Sequence, residues 1–185
     1  MIVKDFARSD LYFSLCGLNC GLCPMRLGDY CPGCGGGAGN QSCAIARCSL
    51  QHGGIEYCFQ CELFPCELYE GSDEYDSFIS YRRQLQDIAR IQDIGIEAYQ
   101  KEQDRKVAIL RKLLADYNDG RRKSLFCTAV NLLPLQGLER VLEMECGREG
   151  CDEETAKNRA ERMASLLGEL AVKEDINLQL RKRPR

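Results

Sequence analysis

The sequence has no tryptophan, a single histidine (His52), five prolines and four methionines. It has no apolar run approaching the roughly 20 residues that span a bilayer. Residues 1–15 carry Lys4, Asp5, Arg8 and Asp10 and lack the apolar stretch of a secretory signal. These absences speak against a membrane protein and lead us to expect a cytoplasmic, reducing setting. Clustered cysteines in such a setting serve as metal ligands more often than as disulfides. The odd total of thirteen cysteines also counts against a purely disulfide framework. With one histidine, a zinc site would be drawn from cysteines, which makes it closed and structural rather than catalytic.

Positive charge is scarce at one end. Of 25 basic residues, residues 1–70 hold only Lys4, Arg8, Arg26 and Arg47, against seven of the 28 acidic ones. Gripping nucleic acid takes several phosphate contacts from lysine and arginine, so nucleic-acid binding by this segment is disfavoured.

Cysteine is what that segment has in excess. Ten of the thirteen fall within the 51 residues from Cys16 to Cys66, as Cys16-x3-Cys20-x2-Cys23, Cys31-x2-Cys34, Cys43-x4-Cys48 and Cys58-x2-Cys61-x4-Cys66. A Cys-x2-Cys pair lets one tight turn aim two sulfurs at one ion. Residues 31–35 read Cys-Pro-Gly-Cys-Gly, a zinc-ribbon-like knuckle in a glycine-dense loop region. A chain of 185 residues buries about 70% of the surface its unfolded state exposes, so these cysteines are not needed to rescue a coreless fold.

The thiol count permits two four-coordinate sites with two cysteines over. Consecutive pairing would join Cys20, Cys23, Cys31 and Cys34, then Cys43, Cys48, Cys58 and Cys61. A cross-braced arrangement would match the first pair with the third, and Cys16 and Cys66 can replace a neighbour in either. Two zinc ions are the expected cofactor, with an iron–sulfur cluster on four thiolates as the alternative. The run Cys16-x3-Cys20-x2-Cys23 also has the spacing of radical S-adenosylmethionine enzymes. Against that, Leu22 stands where an aromatic residue is usual, and no βα alternation follows. None of the pairs opens a helix after a strand as a thioredoxin-like redox pair would. His52, alone in a glycine-containing loop, is left out of the site.

After Cys66 the pattern becomes helical. The expected fold is mainly α, with a loop-rich metal-binding module over 10–70 and a domain of about five helices over 73–185. Residues 10–15 are a candidate strand, and 71–76 a linker with capping residues. Phe78, Tyr81, Leu85 and Ile88 mark the first helix, up to Gly95. Ile96, Tyr99, Val107, Leu110, Leu114 and Tyr117 mark the second, with Gln103 as its polar exception, stopped by Asn118-Asp119-Gly120. A third should run from Arg121 to Leu133 and a fourth from Leu135 to Cys146. A fifth carries Ala156, Ala160, Met163, Leu167 and Leu170, with Asp152 as cap and Glu153 and Glu154 in its first turn. Ile176, Leu178 and Leu180 alternate as in a short strand.

The run CGLNCGLCPMRLGDYCPGC, the pair Cys43 and Cys48, and CFQCELFPCELYE resemble the cysteine-rich bacterial and archaeal family catalogued as domain of unknown function 3795. The resemblance is closest over 15–70 and looser over IQDIGIEAYQKEQ and YNDGRRKSLFCTAVNLLPL. It implies metal binding by all ten cysteines and no established activity.

Arg121, Arg122 and Lys123 open the third helix, where cations oppose the helix dipole. An anionic ligand or the acidic thiolate module would compensate them, which makes these three a candidate ligand-binding corner. Cys127 shares a helix face with Lys123 and Asn131, and in the run LFCTAV it reads as a buried thiol. Cys146-x4-Cys151 repeats the spacing of Cys43 and Cys48 but stands isolated. The reading is a structural two-zinc adaptor that engages a protein partner, with no catalytic residue assigned. Its alternatives are an iron–sulfur redox protein and a small enzyme using Arg121–Lys123.

Overall fold

The protein is mainly helical in a computed structural model that describes residues 3, 5–37, 43–146 and 155–184. Its helices are α1 (Pro24–Leu27), α2 (Ala44–Gln51), α3 (Gln84–Ile94), α4 (Ile96–Asp116), α5 (Lys123–Leu132), α6 (Leu135–Cys146) and α7 (Ala156–Lys173). The cysteine-bearing part adds single 3-10 turns at Cys20–Leu22, Cys58–Gln60 and Glu67–Tyr69.

Helix α4 is the axis of the helical half. Its sequence is rich in alanine, leucine, glutamate and lysine, which lose little freedom in a helix. Its buried residues Tyr99, Lys106, Val107, Leu110 and Leu113 recur at helical spacing on one face. Leu110 and Leu113 pack with Phe126, Ala129 and Val130 of α5, Leu138 of α6, and Met163 and Leu167 of α7. Helices α6 and α7 approach closely at Gly137, where a Cβ would lie 3.0 Å from Leu170. Leu22, from the cysteine-bearing part, is 1% exposed within this same core. Burying one leucine side chain is worth about 2 kcal/mol, so this contact joins the two halves of the chain.

A second apolar cluster lies between the cysteine loops and helices α3 and α4. It holds Phe13, Tyr57, Tyr69, Ile88, Ile91 and Tyr99, with Cys16, Cys58 and Cys66 against its edge. Phe13 and Tyr99 meet edge-on at 5.2 Å.

The five helices expected after residue 73 are present, and several local expectations are corrected. Helix α3 starts only at Gln84 and buries Gln84, Asp87, Ile88 and Ile91, whereas Phe78 and Leu85 are exposed. Periodicity placed Phe78 and Tyr81 on that face, but they precede the helix. Residues 10–15 make one isolated antiparallel bridge, Phe13 to Asn19, rather than a strand. Residues 176–180 form no strand either. They are held instead by side chains of the 76–82 segment: Arg82 donates to the Gln179 carbonyl (3.0 Å) and Asp76 accepts from the Arg181 N–H (2.8 Å). Asp76 is therefore an anchor, taking further hydrogen bonds from Ser80 Oγ (3.0 Å) and Tyr81 N–H (2.9 Å). Asp152, Glu153 and Glu154 lie outside the described residues; α7 is capped by Thr155, which accepts from the Asn158 N–H at 3.2 Å.

Candidate metal centre

Glycine and short turns set the positions of the sulfurs. Gly17 has φ +95°, and a Cβ there would lie 2.7 Å from Ile88 Cδ1 and 2.9 Å from the Gln84 carbonyl, so the chain beside Cys16 lies directly on α3. Cys23 N–H donates to the Cys20 carbonyl (3.1 Å), and Cys61 N–H to the Cys58 carbonyl (3.0 Å). Both Cys-x2-Cys runs thus close a tight turn. Cys43 precedes α2, Cys48 sits on it, and Cys66 precedes the turn at Glu67–Tyr69.

The ten cysteines divide into neighbourhoods. Cys16 is influenced by Cys34 and Cys43, Cys20 by Cys34 and Cys16, and Cys34 by Cys43. Cys48 is influenced by Cys66 and Cys61, and Cys58 by Cys16 as well as by Cys66 and Cys48. Cys48, Cys58, Cys61 and Cys66 line one small cavity of about 20 Å³, room for a single water-sized occupant. The neighbourhoods are thus Cys16–Cys20–Cys34–Cys43 and Cys48–Cys58–Cys61–Cys66, the latter being the consecutive second set with Cys66 in place of Cys43. They meet at Tyr69, whose hydroxyl donates to the Cys16 carbonyl (3.2 Å) and also reaches the Cys58 sulfur. Cys23 lies on the flank of the first group and borders Cys20, Cys31 and Cys127.

Every sulfur that responds to its surroundings does so in one direction. Burial pushes the thiols of Cys16, Cys20, Cys23 and Cys34 upward, and that of Cys58 up to about 12. Neighbouring thiols add to the rise, because several thiolates close together repel. Donors oppose it: the Cys34 N–H at Cys20, the Leu15 N–H at Cys34, and the Met25 and Arg26 N–H groups at Cys23. Ser14 Oγ lies 3.3 Å from Cys16 Sγ, and Gln84 reaches the same sulfur. The guanidinium of Arg8 bears on Cys34.

Such groups fit a soft divalent ion, which would replace mutual repulsion by attraction and keep the sulfurs ionised. No disulfide joins the eleven cysteines described. Among the described residues, no three histidine, cysteine, aspartate or glutamate side chains already converge at ion-binding distance. Ion binding would therefore have to draw the sulfurs of each group closer together.

The remaining candidates fall elsewhere. Arg122 is paired with Asp119 at 3.3 Å and Glu161 at 3.8 Å. Arg121 is exposed, its N–H donating to Asp119 Oδ1 at 3.0 Å. Lys123 lies toward Cys23 and Gly28. Arg121 and Arg122 thus share Asp119, while Lys123 lies toward the cysteine-bearing part. Cys127 is 3% exposed, and burial pushes its thiol up to about 12. Cys151 lies outside the described residues, as does the side chain of Cys146.

Two residues outside the expected set lie beside it. His52, left out of the site, lines the cavity of the second group and follows α2 directly, four residues after Cys48. Arg8 had no local signal, since its partners come from distant segments.

Compared with models of known families, with curated proteins and with solved structures, the chain matches none.

Proposed function

We propose that this is a metal-binding protein whose cysteine-rich part holds two ions, zinc by preference. One is held by Cys16, Cys20, Cys34 and Cys43, the other by Cys48, Cys58, Cys61 and Cys66. The observation that carries the reading is the convergence of four cysteines from α2 and the 58–66 turns on one cavity. All-thiolate sites of this kind are closed and contribute directly to folding. The module would then be a structural, cytoplasmic adaptor stiffened by its metals and displayed on the helices, with a protein as its partner. Its resemblance to the cysteine-rich family named above belongs to the same reading.

An iron–sulfur centre is the second reading, favoured by the N–H donors aimed at Cys20, Cys23 and Cys34, which also tune cluster potentials. Anaerobic purification with metal quantification and an absorption spectrum separates the two. A colourless chain with two zinc ions supports the first. Iron with acid-labile sulfide and broad visible absorption replaces it by the second, and a metal-free folded chain removes both.

A further inference from the structure

Basic residues are few in the cysteine-bearing part, and Arg26 is one that makes no ion pair among the described residues. It lies on α1, directly after Cys23, with its guanidinium 5.5 Å from the centroid of the Tyr12 ring. Its Nε is buried without a hydrogen-bond partner. A buried donor left unpaired is costly, so a donor in this state marks a place where an acceptor fits.

Arg26 shares a cavity of about 350 Å³ with Arg111 of α4. Along α4, Arg105 pairs with Glu139 and Lys112 with Asp116. The exposed Arg111 guanidinium has no hydrogen bond or ion pair among the described residues. Asp29, the one acidic residue of the lining, is exposed and pairs with neither arginine.

The floor of the cavity is apolar and fixed in place. Val107, one turn before Arg111 on α4, is buried, and Leu27 is half-buried. Tyr12 is held through its backbone: its N–H donates to Asp10 Oδ1 (2.9 Å), and its carbonyl accepts from the Gly21 N–H (2.9 Å). A Cβ on Gly21 would lie 2.7 Å from Tyr12 Cδ1 and 3.3 Å from Val107 Cγ2, so glycine there lets the ring settle beside α4. The lining includes no cysteine, which makes this cavity distinct from the candidate metal centre.

We propose that this cavity binds a small phosphomonoester carrying an aromatic or other apolar group. Two guanidiniums from different elements suit a tetrahedral dianion, whose oxygens can be shared between two forks. A carboxylate has both its oxygens occupied by one bidentate arginine, which leaves the second cation uncompensated. Tyr12, Leu27 and Val107 receive the apolar group, and the volume suits one ring with its phosphate. Binding stands whether or not the cysteines hold zinc.

The test is isothermal titration calorimetry of the full chain with phenyl phosphate, inorganic phosphate, benzoate and phenol. Phenyl phosphate should bind at one site per chain, about tenfold or more tighter than inorganic phosphate or benzoate, and phenol should give no measurable heat. Arg26→Gln and Arg111→Gln should each weaken it about tenfold or more. Arg111→Gln should do so with far-ultraviolet circular dichroism and metal content unchanged, which separates loss of the site from loss of the fold. Asp29→Asn should tighten binding, because it removes a like charge from the lining. Absence of saturable phenyl phosphate binding, or affinity unchanged in Arg111→Gln, overturns the proposal. Inorganic phosphate binding as tightly as phenyl phosphate would show an adventitious ion only, and benzoate binding as tightly would remove the phosphate assignment; either result also overturns it.

Discussion

Asn19 Nδ2 donates to Asp87 Oδ2 at 2.8 Å across 68 residues of sequence, and both side chains are buried. The Tyr99 hydroxyl in turn donates to Asn19 Oδ1 at 3.2 Å. One amide thus satisfies a buried carboxylate on α3 and a buried phenol on α4 from the loop that carries Cys20. Replacing Asn19 by alanine takes one partner from each of them, although Asp87 keeps Arg83 at 3.3 Å, at a cost on the order of 1–2 kcal/mol, read by urea unfolding. A change below about 0.5 kcal/mol would mean that the bridge does not hold the loop to the helices.

Lys106 lies in the same interior, its Nζ donating to the Asn131 carbonyl at 3.3 Å. Burial and the nearby Arg83 lower it to about 8, with Asp87 and Glu102 opposing, from an ordinary value of 10.5. Between those values the unfolded chain binds more protons, so this residue makes stability rise with pH over that window. Below pH 8 its penalty is fully present. The buried thiols act oppositely, since they ionise first in the unfolded chain. Comparison with Lys106→Met isolates the lysine: wild-type stability should gain on the variant from pH 8 to 10.5. Parallel curves would disprove the assignment.

Gly17→Ala adds a Cβ 2.7 Å from Ile88 Cδ1 in a backbone conformation of positive φ. We expect a loss of more than about 1 kcal/mol and a lower melting temperature. Gly54→Ala is the control, because φ is also positive there but nothing stands within 4 Å. Equal losses in the two variants would show that contact with α3 is not what requires glycine at 17.

Cys127 should be chemically silent. With its thiol pushed up to about 12, only about one molecule in ten thousand carries the thiolate at pH 8. Iodoacetamide treatment followed by peptide mass spectrometry should leave Cys127 unmodified in the folded chain and modified in urea. Cys127→Ala should retain the full metal content; loss of an ion would instead make it a ligand.

Asp76 ties the C-terminal segment to the start of the helical half. Burial raises its carboxyl, but hydrogen bonds from Arg181 N–H, Tyr81 N–H and Ser80 outweigh it, with Arg82 adding to them, and the net shift is downward. Its contribution to stability is present above the ordinary value of 3.8 and is lost as pH falls through the folded one. Asp76→Ala should expose residues 176–184 to protease with the helices intact, and equal cleavage of the wild type would dismiss the anchor.

Much of this protein was legible in its sequence. Helices α4 and α6 fall where their apolar spacing and stop signals place them, because helical pattern, capping and chain breaks are local properties. Cysteine count and spacing marked the candidate site for the same reason: a Cys-x2-Cys turn closes within four residues. The cysteine groups were decided only in three dimensions. The loop carrying Cys16 and Cys20 is placed by Gly17, Asn19 and Leu22, which pack against helices some 70 or more residues away, while Cys34 and Cys43 pack with Phe6, Leu15 and Ala46. Arg8 shares the cause, since its hydrogen-bond partners come from residues 10, 13, 34 and 56. Phe78 and Leu85 fit a helical period yet lie exposed. Periodicity states which residues can share a face; burial of that face depends on what the rest of the chain brings against it.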